Sequence, residues 1–301
     1  MRTTKVQRTS QKSMALSAEF SDGSLAGIWQ RPYRQRTQVP LHTVTVEIGG
    51  MAILFATSDA EFRSLIENRY SGFLNSSAPP AFRFDIHLTS ALKPSSKDVR
   101  VSRNGSGWFV ERGDFRSDWD LQSRTGHIYQ SANPYSLDTV LRIVHSLELA
   151  EQGGFLVHAS SALRCGQGFL FAGISGAGKT TVARLAPPDA TVLTDEISYI
   201  RRNGDGYRAY GTPFAGELGR VGENVSAPLS SLYLLEKGKS NRTKPVEQLA
   251  AARALLRHIL FFATDDYLVK AIFDSVMSFV SRVSVERLIF TPDERVWGLI
   301  G

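Results

Sequence analysis

The chain has 301 residues, of which 42% are apolar, 21% charged and 10% aromatic. This composition is typical of a folded globular protein and excludes both a disordered and a fibrous chain. The net charge is +6, but seven basic residues fall in the first 37 positions, so the remainder is close to neutral. A dedicated nucleic-acid surface needs a basic stripe on a folded element, so we expect no nucleic-acid partner.

The chain length, the cysteine count and the length of the apolar runs set further limits on the class of protein. At about 100–200 residues per domain, the chain is expected to form two domains. The single cysteine, Cys165, cannot form an internal disulfide, and we expect it to be a buried apolar residue. No apolar run approaches the roughly 18–20 residues that span a bilayer, and no secretory signal core follows the basic amino terminus. We therefore expect a cytoplasmic protein with no membrane partner, and a poorly ordered basic arm at 1–38.

Residues 39–152 are predicted to form a smaller α+β domain. Two β-type runs, His42–Ile48 and Met51–Ala56, surround a Gly-Gly pair and predict a hairpin. A helix is predicted over 59–70, with Asp59 as its N-cap. The apolar face of this helix is predicted to contain Phe62, Leu65 and Ile66.

Short strands and a long helix complete this predicted domain. The strands are expected at 82–88, 98–103, 107–111 and 126–130. The helix is expected over Ser136–Glu151, where apolar residues recur at helical spacing, and Gly153-Gly154 ends it.

Residues 153–301 differ from the first half in their pattern of apolar residues, and we predict an α/β nucleotide-binding domain there. Short apolar runs of the kind found in buried strands alternate with helical patterns at 246–262 and 266–281. The apolar runs are Phe155–Ala159, Phe169–Ala172, Ala190–Thr194, Ile197–Arg202, Tyr207–Gly211, Ser231–Leu235, Val285–Phe290 and Val296–Ile300.

The segment Gly173–Thr180 fits the phosphate-loop pattern G-x4-G-K-[ST] at every fixed position. An apolar strand precedes it and a helix is predicted to start at Thr180, which is the context that the motif requires. Glycines let the backbone turn its N–H groups inward around a phosphate, while Lys179 can reach the β- and γ-phosphates and the Thr180 hydroxyl can ligate Mg²⁺. The predicted cofactor-binding residues are Gly173, Ile174, Ser175, Gly176, Ala177, Gly178, Lys179, Thr180 and Thr181.

Two carboxylates, Asp195 and Glu196, follow the next predicted strand. Carboxylates at a strand end beside a phosphate loop can ligate the Mg²⁺ of a nucleotide or accept the proton of a substrate hydroxyl. Asp195 follows Lys179 by sixteen positions, and the residues between them hold only a short helix, a Pro-Pro stop and this strand. That spacing excludes transporter-type ATPases, and the absence of an Asn-Lys-x-Asp sequence excludes GTPases.

A short phosphate-loop helix followed at once by an acidic strand resembles the HPr kinase/phosphorylase family, whose fold is similar to that of phosphoenolpyruvate carboxykinase. The resemblance includes His158, which precedes Lys179 by 21 residues in a strand-type run. It implies ATP and Mg²⁺ as cofactors, Asp195 as the base that acts on a serine hydroxyl, and Glu196 together with Thr180 as metal ligands. Without the resemblance, His158 would be a core histidine with a satisfied hydrogen bond.

The chain also departs from that family. Gly-Lys-Thr-Thr stands where those kinases have Gly-Lys-Ser-Glu, and no Glu-Arg-Gly-Leu-Gly segment follows. The chain therefore looks like the divergent HPr-kinase-related proteins that are often associated with peptide-modification gene clusters. The glycine-rich segment 210–224 is either an ordinary surface loop or a loop that closes over a substrate, with Arg220 stabilising phosphate charge.

Three functions remain open from the sequence. The first is an ATP- and Mg²⁺-dependent kinase that acts on a hydroxyl, with Asp195, Lys179, His158 and Arg220 as its catalytic residues. The second, from another class, is a nucleotide-binding regulatory module with weak or no ATPase activity. The third is a carboxykinase relative, against which the length of 301 residues counts. The acceptor, which could be a protein, peptide or small molecule, and the oligomeric state, including a homo-oligomer, are left open.

Overall fold

A computed structural model describes residues 41–75, 77–90, 98–263 and 265–301. Residues 40–301 form one compact unit. The predicted basic arm at 1–38 lies outside the described residues. The described part of the chain is a mixed α/β structure in which two β-sheets are accompanied by five α-helices. In this part of the chain, no helix combines the length and the apolar character needed to cross a membrane.

The first sheet has seven strands in the order β1-β2-β3-β7-β6-β5-β4. The predicted hairpin is confirmed, because β1 and β2 pair antiparallel on either side of the Gly-Gly turn. The alternation of apolar and polar residues that predicts the other strands does not reveal β6, whose sequence is mostly polar. The strands are β1 His42–Ile48, β2 Met51–Thr57, β3 Phe82–Leu88, β4 Arg100–Asn104, β5 Gly107–Arg112, β6 Phe115–Asp120 and β7 Thr125–Gln130.

Two helices, α1 (Ala60–Arg69) and α2 (Pro134–Glu151), belong to the first half of the chain, and a 3-10 turn at Ser71–Phe73 follows α1. The predicted cap of α1 is confirmed, since the Asp59 carboxylate accepts a hydrogen bond from the Phe62 N–H at 2.8 Å. Leu65 was expected on the apolar face of α1 but is exposed.

The second sheet has nine strands, and β8 and β13 are its longest. Both extend beyond the apolar runs that predicted them, because their ends are partly exposed and carry polar residues. The strands are β8 Phe155–Arg164, β9 Gln167–Ala172, β10 Ala190–Thr194, β11 Ile197–Asn203, β12 Gly206–Tyr210, β13 Ser226–Lys237, β14 Arg242–Pro245, β15 Ile259–Leu260 and β16 Ser284–Phe290.

Strand β8 changes partners along its length. Its first part pairs with β11 and β15, and its second part pairs with β9 and β10. Strand β9 also pairs in parallel with β13, which in turn pairs in parallel with β16. The ends of β9, β10 and β13 and the middle of β8 therefore lie in the region that the candidate site occupies.

Three further helices, α3 (Lys179–Arg184), α4 (Gln248–Leu256) and α5 (Asp266–Val280), lie in the second half. The helical pattern at 246–262 is only partly a helix. Its last residues form β15, which pairs with β8, so a tertiary strand pairing overrides the local periodicity. The final apolar run does not form a strand either and lies largely in a 3-10 helix, Glu294–Leu299.

One continuous cluster of buried apolar side chains extends from the first sheet through α2 to the second sheet. The predicted division at 152/153 falls where α2 ends and β8 begins, and it stays a prediction. A smaller cluster packs α3 against the C-terminal 3-10 helix, where the Trp297 Nε1–H donates to the Val182 carbonyl at 3.0 Å. Trp108, Trp119 and Trp297 are all buried.

The expectation for Cys165 is wrong, because this residue is exposed. Cys165 and Gly166 form the two-residue turn between β8 and β9, with φ values of 50° and 74°. Tight hairpin turns of this kind require positive φ at both central residues and lie on the surface. Turn geometry therefore decides the position of this side chain.

Candidate functional site

A polar cavity of about 540 Å³ opens where β9, β10 and β13 end, beside the middle of β8. Two loops face it, which we call the glycine loop (residues 173–178, between β9 and α3) and the aspartate loop (residues 211–225, between β12 and β13). The cavity is lined by His158, Ser175, Gly176, Gly178, Lys179, Thr180, Thr181, Asp195, Glu196, Ala215, Gly216, Glu217 and Lys237.

The glycine loop makes a tight turn in front of α3. Gly178 has φ 111°, and a Cβ atom there would lie 2.6 Å from the Phe290 ring, so only glycine fits this position without strain. Among the described residues, none accepts a hydrogen bond from the main-chain N–H of Gly176, Gly178 or Lys179. The loop thus presents main-chain donors at the cavity.

Lys179 is 8% exposed and lies at the start of α3. Its ammonium Nζ donates to the Gly173 carbonyl at 3.0 Å, which folds the side chain back along the glycine loop. Burial lowers the pKa of Lys179, and the nearby carboxylates of Glu217 and Glu196 partly oppose this shift. A buried cation beside open main-chain donors is suited to an anionic ligand.

Asp195 is 4% exposed and lies in the turn between β10 and β11. Its two carboxylate oxygens accept hydrogen bonds from the aspartate loop, one from the Gly216 N–H at 2.9 Å and one from the Leu218 N–H at 2.8 Å. Asp195 therefore fixes the aspartate loop against the end of β10 while it lines the cavity.

Glu196 has a different environment from its neighbour. Its side chain is half-buried, and Oε2 lies 3.7 Å from a guanidinium nitrogen of Arg142, a residue of α2. Burial raises the pKa of Glu196, and the positive charge of Arg142 is the strongest opposing influence. This carboxylate is thus held at the cavity by a loose ion pair.

His158 lies on β8 at the point where the strand changes partners, and its side chain is exposed at the cavity. Its main-chain N–H donates to the His258 carbonyl at 2.7 Å. Partial burial lowers the pKa of its imidazole, and the charges of Lys179 and Arg142 add to this effect. The core histidine of this region is instead His145 on α2, which is fully buried.

The structure does not bring every predicted residue to the cavity. Arg220 is exposed and is not among the residues that line the cavity. In the glycine loop, Ile174 is 75% exposed and Ala177 packs into the smaller apolar cluster, so neither lines the cavity. Gly173 contributes its carbonyl to Lys179.

Some residues of the site do not emerge from the sequence. Glu217 lies in a segment that stands out only for its glycines, and Lys237 falls two residues beyond the predicted end of its strand. For Arg142, a signal is present, since Asp138 and Arg142 are charged residues one turn apart among the apolar positions of this helix.

The residues present have the donor types for a nucleotide-bound magnesium ion. Thr180 and Glu196 both offer oxygen atoms at the cavity. Within the described ranges, no group of three histidine, cysteine or acidic side chains is arranged to hold a metal ion by itself. Mg²⁺ in nucleotide sites uses one or two protein oxygens together with phosphate oxygens and water, so the two residues fit such an ion.

Together, the two sheets and this cavity define a mixed α/β protein with a polar cleft at a glycine-rich turn. The chain belongs to the ScmC family, since the family model described as SynChlorMet cassette protein ScmC matches residues 130–288, more than half of the chain. The matched region begins before α2 and ends within β16. No curated protein matches the chain.

Proposed function

We propose that this protein is an ATP- and Mg²⁺-dependent phosphotransferase of the HPr-kinase-like class, with a phosphate-loop domain of the carboxykinase type. The observation that carries the proposal is the single cavity that holds Lys179, Asp195 and Glu196 beside the glycine loop. A cation with open main-chain donors suits phosphates, and carboxylates opposite them suit a metal ion and a hydroxyl group.

In this proposal, the phosphate-binding, metal-binding and proton-accepting roles belong to different groups at the cavity. The glycine loop and Lys179 bind the β- and γ-phosphates, while Thr180 and Glu196 hold Mg²⁺, which supplies charge neutralisation when bound. The acceptor oxygen forms a bond to the γ-phosphorus as the bond to the β–γ bridging oxygen breaks and ADP leaves. Asp195 accepts the proton of the acceptor hydroxyl, and the exposed imidazole of His158 lies at the same cavity.

A second function, a nucleotide-binding regulatory module with little or no hydrolysis, is favoured by one observation. Both oxygens of Asp195 already accept main-chain hydrogen bonds from the aspartate loop. A carboxylate held in this way has a structural role whether or not it also accepts a proton. The two functions share nucleotide binding and differ in phosphate transfer.

Nucleotide binding is tested first with Lys179→Ala. Removing a hydrogen-bonding charge from the phosphates should weaken the affinity for Mg-ATP by about 10- to 100-fold. The measurement is the thermal shift produced by Mg-ATP, with Lys244→Ala on the exposed strand β14 as the matched control. An equal shift in the wild type and the Lys179→Ala variant would contradict the proposal.

Phosphate transfer is tested with γ-labelled ATP and Asp195→Asn. If Asp195 accepts the proton, label transfer should fall by about 10²–10⁴-fold while Mg-ATP affinity changes little. If wild-type protein binds Mg-ATP but transfers no label to protein, peptide or water, the regulatory module is the function. Unchanged transfer in Asp195→Asn would remove Asp195 from the mechanism.

A further inference from the structure

The candidate site includes an arginine from the first half of the chain. Arg142 lies on α2, and its guanidinium carbon is 4.8 Å from the centroid of the Phe214 ring in the aspartate loop. Its Nη2 is 3.7 Å from Oε2 of Glu196. A single side chain thus contacts both the aspartate loop and a carboxylate of the cavity.

The hydrogen-bonding capacity of Arg142 is not saturated. The distance of 3.7 Å to Glu196 is an ion pair but is too long for a hydrogen bond. The Nε–H is buried and has no hydrogen-bond partner among the described residues. Most buried polar atoms in proteins are satisfied, so an arginine with donors left over beside a polar cavity calls for an explanation.

A second charged side chain of α2 is already paired. Asp138, one turn earlier than Arg142, is 6% exposed. Its carboxylate is already bound by the Arg69 guanidinium and by the Tyr70 hydroxyl, the latter at 2.6 Å. Because Asp138 is paired with α1, Arg142 is available to Glu196.

We infer that Arg142 is a positioning residue that holds the Glu196 carboxylate at the wall of the cavity, so that α2 is part of the candidate site. The inference rests on the proposed function for the role of Glu196 as a metal ligand, but the contact itself does not depend on that role.

A second contact between an arginine and a carboxylate, near the C-terminal end of α2, provides a matched control. Arg124 lies 3.4 Å from Glu148 of α2, and its guanidinium carbon is 4.9 Å from the centroid of the Phe82 ring. This arginine makes the same two contacts as Arg142, with a carboxylate and with an aromatic ring, but neither Arg124 nor Glu148 lines the cavity. Substitution of Arg124 therefore separates the loss of such a contact from an effect on the site.

The contact is tested in the free protein by ¹⁵N NMR of the arginine side chains. The Nε–Hε resonance of Arg142, assigned by its loss in Arg142→Lys, should shift in Glu196→Gln and stay unchanged in Glu148→Gln. The Arg124 resonance should show the opposite pattern. An Arg142 resonance that does not respond to Glu196→Gln would overturn the inference, whether or not the protein binds nucleotide.

The role of Arg142 in positioning Glu196 is tested by binding of the fluorescent probe N-methylanthraniloyl-ATP over a range of Mg²⁺ concentrations. Loss of a group that orients a metal ligand typically weakens metal affinity by about 10-fold or more, so Arg142→Gln should raise the half-saturating Mg²⁺ concentration by that factor. Arg142→Lys should recover most of the loss, and Arg124→Gln should have no effect.

The outcomes separate the two proposals. If Arg142→Gln fails to fold, Arg142→Met supplies the same comparison. An unchanged Mg²⁺ requirement in a folded neutral variant overturns the positioning role. If the wild-type protein does not bind the probe at all, the proposed function fails, and the NMR measurement still decides whether Arg142 holds Glu196.

Discussion

The two loops at the cavity have similar glycine-rich sequences but opposite uses of their main-chain N–H groups. In the aspartate loop, the amides of Gly216 and Leu218 bind the protein's own carboxylate, Asp195. In the glycine loop, the amides of Gly176 and Gly178 have no partner among the described residues. The aspartate loop thus uses two amides on a carboxylate of the protein, and the glycine loop leaves two amides open at the cavity, so glycine content alone does not identify an anion-binding loop.

The largest expected effect comes from Gly222→Ala in the aspartate loop. A Cβ atom at Gly222 would lie 1.7 Å from the Leu193 carbonyl oxygen, so the backbone must move. We expect a loss of about 3 kcal/mol or more in the free energy of unfolding, measured by urea denaturation. The matched variant, Gly176→Ala in the glycine loop, meets no atom within 4 Å and should cost only about 1–2 kcal/mol, from its positive φ.

Equal losses in the free energy of unfolding of Gly222→Ala and Gly176→Ala would contradict this difference between the two loops. They would mean that both loops use glycine for the same reason, either close backbone packing or a left-handed turn.

The second expected effect is a loss of stability in acid that comes from His145, the buried histidine of α2. Burial lowers the pKa of His145 to about 3, whereas an unfolded chain would protonate it near 6.5. The unfolded state therefore binds the proton first, and stability is lost as the pH falls from 6.5 towards 3. Between pH 7 and pH 5, the loss should be about 2 kcal/mol.

The measurement is urea denaturation at both pH values for the wild type and His145→Leu. The variant should be nearly insensitive to this change of pH. If it loses as much stability as the wild type, the acid-sensitive group is not His145.

The smallest expected effect concerns Asp195→Asn. An asparagine can accept from only one of the two loop amides and turns an N–H towards the other, so we expect a loss of about 1.5 kcal/mol in the free energy of unfolding. Glu196→Gln, which breaks no main-chain hydrogen bond, is the control and should be close to neutral. Equal effects would show that the aspartate loop does not depend on Asp195.

Much of the fold could be predicted because its signals are local. The hairpin β1–β2 follows from alternation around two glycines, and the start of α1 follows from the capping residue Asp59. Strand β15 could not be predicted, since Ile259–Leu260 continue a helical pattern and become a strand only by pairing with β8. The burial expected for Cys165 rests on its residue type alone, while its place in a tight turn exposes it.

The candidate site also has one part that the local sequence predicts and another part that it does not. Lys179, Asp195 and Glu196 lie within one short stretch of sequence, and their spacing predicts that they lie close together, as they do at the cavity. The groups that hold the two carboxylates are Arg142, Gly216 and Leu218, which come from a distant helix and from main-chain atoms. A main-chain donor has no residue-type signature, and a partner more than fifty positions away has no spacing that sequence reading can use.

The parallel pairing of β9 with β13 has a consequence for how the chain folds. Strand β9 leads directly into the glycine loop. One of its two partner strands, β13, follows only after β10, β11 and β12 in the chain. Parallel pairs that join distant segments form slowly, because the entropy of closing the intervening chain opposes them. The glycine loop is therefore expected to take its final shape among the last events of folding, so that a chain still leaving the ribosome lacks the completed cavity.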